Sequence, residues 1–133
     1  MIPKFRFRSV GGMHEVVEID FKNQKVWLSD GDQRDIASGV LMQSTGLLDK
    51  NGKEMFSGDI IKRDDQSQGK WRRFAVVKIS PDIQFDCSPI KEIDGVINSA
   101  DCIFHYGNFA YRDTEKYLEI MGNIYENPEL INQ

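Results

Sequence analysis

Long hydrophobic runs are missing from this chain. Its longest apolar stretch, Phe74-Ala75-Val76-Val77, stops at Lys78, far short of the roughly 18 residues a membrane-spanning helix needs. The opening Met1-Ile2-Pro3-Lys4-Phe5-Arg6 lacks the apolar core and small-residue cleavage site of a signal peptide. A cytoplasmic protein with no membrane contact is expected. Cysteine is scarce: Cys87 and Cys102 are the only 2 in 133 residues, too few for a disulfide framework. Histidine is equally rare, with His14 and His105 alone. An excess of one charge is absent too. Against 17 Lys and Arg stand 21 Asp and Glu, a net of -4, which argues against a whole-surface nucleic-acid binder but leaves room for a local basic stripe.

What is present alternates with a period closer to two than to 3.6. Phe5 and Phe7 alternate with Lys4, Arg6 and Arg8 before Gly11-Gly12 breaks the chain. Val16, Val17, Ile19 and Phe21 lead through Lys22-Asn23-Gln24-Lys25 to Val26-Trp27-Leu28, the pattern of a hairpin, with Asn23 able to take the positive φ a tight turn asks for. Ser29-Asp30-Gly31-Asp32 marks a further turn. Val40-Leu41-Met42-Gln43 then runs toward Asp49-Lys50-Asn51-Gly52, where Asn-Gly between strand-like runs is a strong hairpin signal. Ser57-Gly58-Asp59 re-aims the chain. Trp71 to Ile79 is a central strand, and Ile83 with Phe85 leaves a short strand between Pro81 and Pro89. From Ile90 to Arg112 the pattern is irregular, with a short helix or 3₁₀ turn expected. Tyr117 to Tyr125 is a closing strand bulged at Gly122, and Asn127-Pro128 signals a short C-terminal helix. The fold class is all-β, mainly antiparallel.

Three segments carry a resemblance. They are Lys4-Phe5-Arg6 with Met13-His14-Glu15-Val16, the run LMQSTGLLDKNGKEMFSGDIIK from Leu41 to Lys62, and IMGNIYENPEL from Ile120 to Leu130. Together they resemble the YopX-like family of phage and prophage proteins. The resemblance implies a small N-terminal β subdomain, residues 1–38, and an SH3-like barrel, residues 39–133, in a phage or prophage product with no established biochemical role. It brings no catalytic motif. Phe7-Arg8-Ser9-Val10 departs from the family pattern, and the stretch from Pro81 to Lys116 matches little of it.

Within the central segment the acids read as architecture. Asp49 can accept backbone hydrogen bonds across its turn, and Asp59 can do so where its strand begins. Asp49-Lys50-Asn51-Gly52-Lys53-Glu54 resembles a calcium loop only superficially, because glycine falls at the fourth position and lysine displaces an oxygen ligand. Cys102 and His105 have ligand-like spacing, but zinc sites usually add a second close pair. Small buried thiols explain the cysteines better. No G-x-S-x-G turn or comparable nucleophile setting is present. No enzyme activity, cofactor or metal is expected.

The remaining signal is basic and aromatic. Lys4, Arg6 and Arg8 share one strand face, and Lys70-Trp71-Arg72-Arg73-Phe74 forms a second cluster. Small barrels bind single strands by pairing such charges with stacking rings. These residues, Lys4, Arg6, Arg8, Lys70, Trp71, Arg72 and Arg73, are the candidate nucleic-acid contacts. The plainer reading is a solvated strand face opposite a core of Phe5, Phe7 and Phe74. The leading expectation is a non-enzymatic binding or self-assembling module, a homo-oligomer or the partner of a host or phage protein. Tyr106, Phe109 and Tyr111 are its candidate contact patch.

Overall fold

The computed structural model describes residues 4–65, 71–79, 82–86, 103–105 and 114–131. Among them the chain forms β1 (Phe5–Ser9), β2 (Gly12–Asp20), β3 (Lys25–Leu28), β4 (Gln33–Asp35), β5 (Val40–Leu48), β6 (Glu54–Phe56), β7 (Asp59–Asp65), β8 (Trp71–Ile79), β9 (Ile83–Asp86), β10 (Ile103–His105), a single helical turn α1 (Thr114–Tyr117) and β11 (Leu118–Asn123). The strands make two antiparallel sheets, in the orders β4-β3-β2-β1-β5-β6 and β10-β9-β8-β7-β11. The all-β expectation holds. The described pairings define these two sheets and do not by themselves define an SH3-like barrel.

The first sheet packs one face around Phe7, Val26 and Leu28, with Val16, Ile19, Ile36 and Leu41 against them. The second sheet is buried on both faces. Neighbouring residues of β7 and β8 divide between two clusters: Met55, Ile61, Ala75, Val77, Phe85 and Leu118 in one, and Ile60, Phe74 and Val76, under Ile124, Leu130 and Ile131, in the other. Burial on both sides is why Phe74 to Val77 reads as a continuous apolar run rather than an alternating one. Phe74 and Phe7 therefore belong to different clusters, not to the single core the sequence suggested.

The Asn51-Gly52 hairpin forms as expected, with Gly52 at φ 79°. Asp49 is its anchor. Its buried carboxylate accepts from the backbone N–H of Asn51 and Lys53, both at 2.9 Å, and its other oxygen accepts from Ile120 of β11, also at 2.9 Å. One side chain thus closes the turn and fastens it to the end of the chain. β11 carries its bulge between Ile120 and Gly122, where the glycine signal placed it.

Two local expectations are corrected. In the β2–β3 turn the positive φ belongs to Gln24, at 55°, not to Asn23. Asn23 instead donates from its backbone and its side chain to the Asp20 carboxylate, a local bond that holds it out of the left-handed region. The C-terminal helix shrinks to one 3₁₀ turn, Pro128–Leu130. Asn127 does not cap it: its Oδ1 accepts from the N–H of Asn123 at 3.2 Å, which leaves the turn without the cap that sustains a longer helix.

Candidate binding cleft

The face of β1 opposite Phe7 carries Arg6 and Arg8, and it is not solvated. The β1–β2 and β1–β5 registers set Arg6 between Glu15 and Met42, on the side that meets β7 and the C-terminal turn. Arg6 pairs with the buried Asp59 of β7, contacts Met42 Sδ at 3.5 Å and lies over the Phe56 ring at 4.4 Å. Arg8 approaches Glu126 at 3.5 Å and donates to the Ser9 carbonyl at 2.8 Å. Lys4, largely exposed, reaches Glu54 at 3.5 Å. The expected solvated basic face is therefore a seam between the sheets. Each of these half-buried arginines faces a carboxylate from a distant part of the chain, Asp59 for Arg6 and Glu126 for Arg8, while Arg8 Nε is buried with no hydrogen bond among the described residues.

At the open end of this seam lies a cleft of about 320 Å³, lined by Lys4, Phe5, Arg6, Met13, His14, Glu15, Val16, Glu54 and Phe56. Three segments build it. β1 supplies the residues before Phe7, the first half of β2 lies antiparallel beside it, and β6 approaches from beyond β5. Among its lining residues, Glu54 has a buried oxygen, Oε2, with no hydrogen-bond partner among the described residues. His14 Nε2 is also without one, but the β1–β2 register sets His14 opposite Phe7, on the other face of the sheet from Arg6.

Electrostatics at the seam centre on Asp59. Burial raises its carboxyl above the ordinary value, the Phe56 N–H and the Arg6 charge pull it down, and the nearby Asp49 adds to the rise. Arg6 thus compensates part of the cost of placing a carboxylate between the sheets.

The other candidate contacts fall elsewhere. Trp71, Arg72 and Arg73 lie on β8 of the second sheet, in register with Asp65, Asp64 and Arg63 of β7, so the two basic clusters belong to different sheets. Lys70 lies outside the described residues, as do Cys87, Cys102, Tyr106, Phe109 and Tyr111. Among the described residues no group of three or more His, Cys, Asp or Glu is placed to hold a metal, and no helix is long and apolar enough to cross a membrane.

Met13-His14-Glu15-Val16, Glu54 and Phe56 lie within the resembling segments, but the sequence assigns none of them a binding role. Nothing local marks them, because the cleft exists only after β2 folds back on β1 and β6 returns past β5.

The chain is thus an all-β protein of two antiparallel sheets, with the cleft at the end of the seam between them. The family model described as YopX protein matches residues 11–132, and the chain belongs to the YopX family. Among solved structures it is similar to protein EF1440 from Enterococcus faecalis, at 27% identity and a TM-score of 0.59, covering 97% of each chain. A search of curated proteins finds no match.

Proposed function

We propose that this chain is a non-enzymatic binding module of a phage or prophage, working in the host cytoplasm, and that the cleft between β1, β2 and β6 is its binding surface. The observation that carries this reading is the cleft itself, in whose lining half-buried Phe5 and Phe56 accompany Glu54, whose buried Oε2 has no hydrogen-bond partner among the described residues. A volume near 320 Å³ sits at the lower end of the roughly 300–1,000 Å³ typical of ligand pockets. Buried polar atoms without partners cost stability unless something supplies the bond. The test is a titration of ¹⁵N-labelled protein with short blocked peptides of acidic, basic and apolar side chains. Saturable shifts confined to residues 13–16 and 54–56 support the reading. If no class of peptide perturbs those amides, it is wrong.

A second reading, self-assembly, is favoured by Val17, Phe21 and Trp27, which remain 62%, 75% and 37% exposed in or beside β2 and β3. Val17→Ser with Trp27→Ser should then lower the solution mass measured by sedimentation, and an unchanged mass removes it. A nucleic-acid-binding accessory role would rest on Lys4, Arg6, Arg8, Lys70, Trp71, Arg72 and Arg73. The carboxylate pairing of the first three weighs against it. Anisotropy of short DNA and RNA at two salt concentrations decides it: steeply salt-dependent binding would restore that role.

A further inference from the structure

We propose that the cleft receives a basic side chain, an arginine or lysine on an extended segment of a partner protein; this rests on the cleft being the binding surface.

The unpartnered oxygen of Glu54 sets the chemistry. A carboxylate oxygen only accepts hydrogen bonds, so the occupant that satisfies Glu54 Oε2 must donate. The cations already present are committed. Arg6 is held by Asp59 and by the Phe56 ring, and Lys4 meets Glu54 through Oε1, the opposite oxygen. Lys4 is also 70% exposed, so it borders the cleft rather than filling it. Glu15 stands exposed at the rim, opposite Arg6 in the β1–β2 register. The lining holds two carboxylates, Glu15 and Glu54, and two cations, Lys4 and Arg6, and the charge of Arg6 is already balanced by Asp59 from outside the cleft. A guanidinium or ammonium group donates and carries the complementary charge; a carboxylate or phosphate does neither.

The apolar lining suits the same occupant. Phe5, Met13 and Val16 are half-buried beside the charged groups. Arginine and lysine lay their methylene stems on such surface while the head reaches a polar partner, and a ring near the head adds a cation–π attraction. The cleft's size fits one long side chain and its own backbone, not a folded element.

The experiment uses the full chain and four acetylated, amidated pentapeptides, alanine throughout except for a central arginine, lysine, leucine or glutamate. The arginine and lysine peptides should shift the amides of residues 13–16 and 54–56 saturably, and the leucine and glutamate peptides should not. Glu54→Gln, whose spectrum elsewhere reports an intact fold, should weaken binding by about tenfold or more. Glu15→Gln should weaken it less and guards against a folding defect in the first variant. Equal binding of the leucine or glutamate peptide overturns the proposal while leaving the cleft a binding surface. Unchanged affinity in both variants also overturns it. If no peptide reaches the cleft, the proposal and the functional reading beneath it fall together.

Discussion

Arg6 of β1 donates to one oxygen of Asp59 on β7, and the other oxygen accepts from the Phe56 N–H at 2.8 Å. A single buried carboxylate thus joins the first sheet to the second and fixes the turn between β6 and β7. Removing one partner of such a pair leaves an uncompensated charge, which typically costs about 3–5 kcal/mol.

Arg6→Ala should therefore destabilise by about 3 kcal/mol, tempered by the partial exposure of the arginine. The double change Arg6→Met with Asp59→Asn should cost less than the sum of the single changes, with a coupling of about 1–3 kcal/mol. Denaturant midpoints for the four proteins of the cycle measure this. Strict additivity would mean that the two residues do not act as a pair.

Acidity should act on the same residue in a defined direction. With its carboxyl raised by burial, folded Asp59 holds its proton more tightly than the unfolded chain does. Its contribution to stability is fully present below the ordinary carboxylate value. It is lost as pH rises through the raised folded value. The stability difference between wild type and Asp59→Asn should fall over that window, because the other carboxylates cancel in the comparison. Urea midpoints at successive pH values test it, and a difference that grows with pH contradicts the assignment.

Asp49→Ala removes the acceptor for the backbone donors of Asn51, Lys53 and Ile120. The loss should be about 3 kcal/mol, since buried donors left without partners cost roughly 1–3 kcal/mol each and water can reach those at the turn. Hydrogen exchange should quicken first at residues 51, 53 and 120. Uniform acceleration across the molecule would instead indicate that the carboxylate does not act locally.

Gly58→Ala and Gly52→Ala make a contrasting pair. Both positions have φ in the left-handed region, at 91° and 79°, so each change should cost about 1 kcal/mol from the backbone alone. A Cβ at Gly52 meets open space, whereas at Gly58 it comes 2.9 Å from the Tyr125 ring and 3.2 Å from Met42. Gly58→Ala should be the more damaging by at least about 1 kcal/mol. Equal thermal midpoints would mean that Tyr125 yields freely.

The sequence by itself determined the strands and turns whose causes are local. Asn51-Gly52 placed a hairpin because asparagine and glycine accept the backbone angles such a turn requires. Gly122 marked the β11 bulge, and Asp49 and Asp59 were legible as backbone acceptors because short carboxylates bond to nearby N–H groups. Even so, Gln24 and not Asn23 takes the positive φ, since the bonds to Asp20 decide that turn.

Only the tertiary structure decided the meaning of the basic strand. Alternation put Lys4, Arg6 and Arg8 on one face but could not say what that face meets, because Glu54, Asp59 and Glu126 come from 50 to 118 residues further along the chain. The cleft was hidden for the same reason. Met13, Glu15, Glu54 and Phe56 converge through antiparallel returns whose partners are set by burial of the two sheets, and local periodicity carries no record of which strand lies beside which.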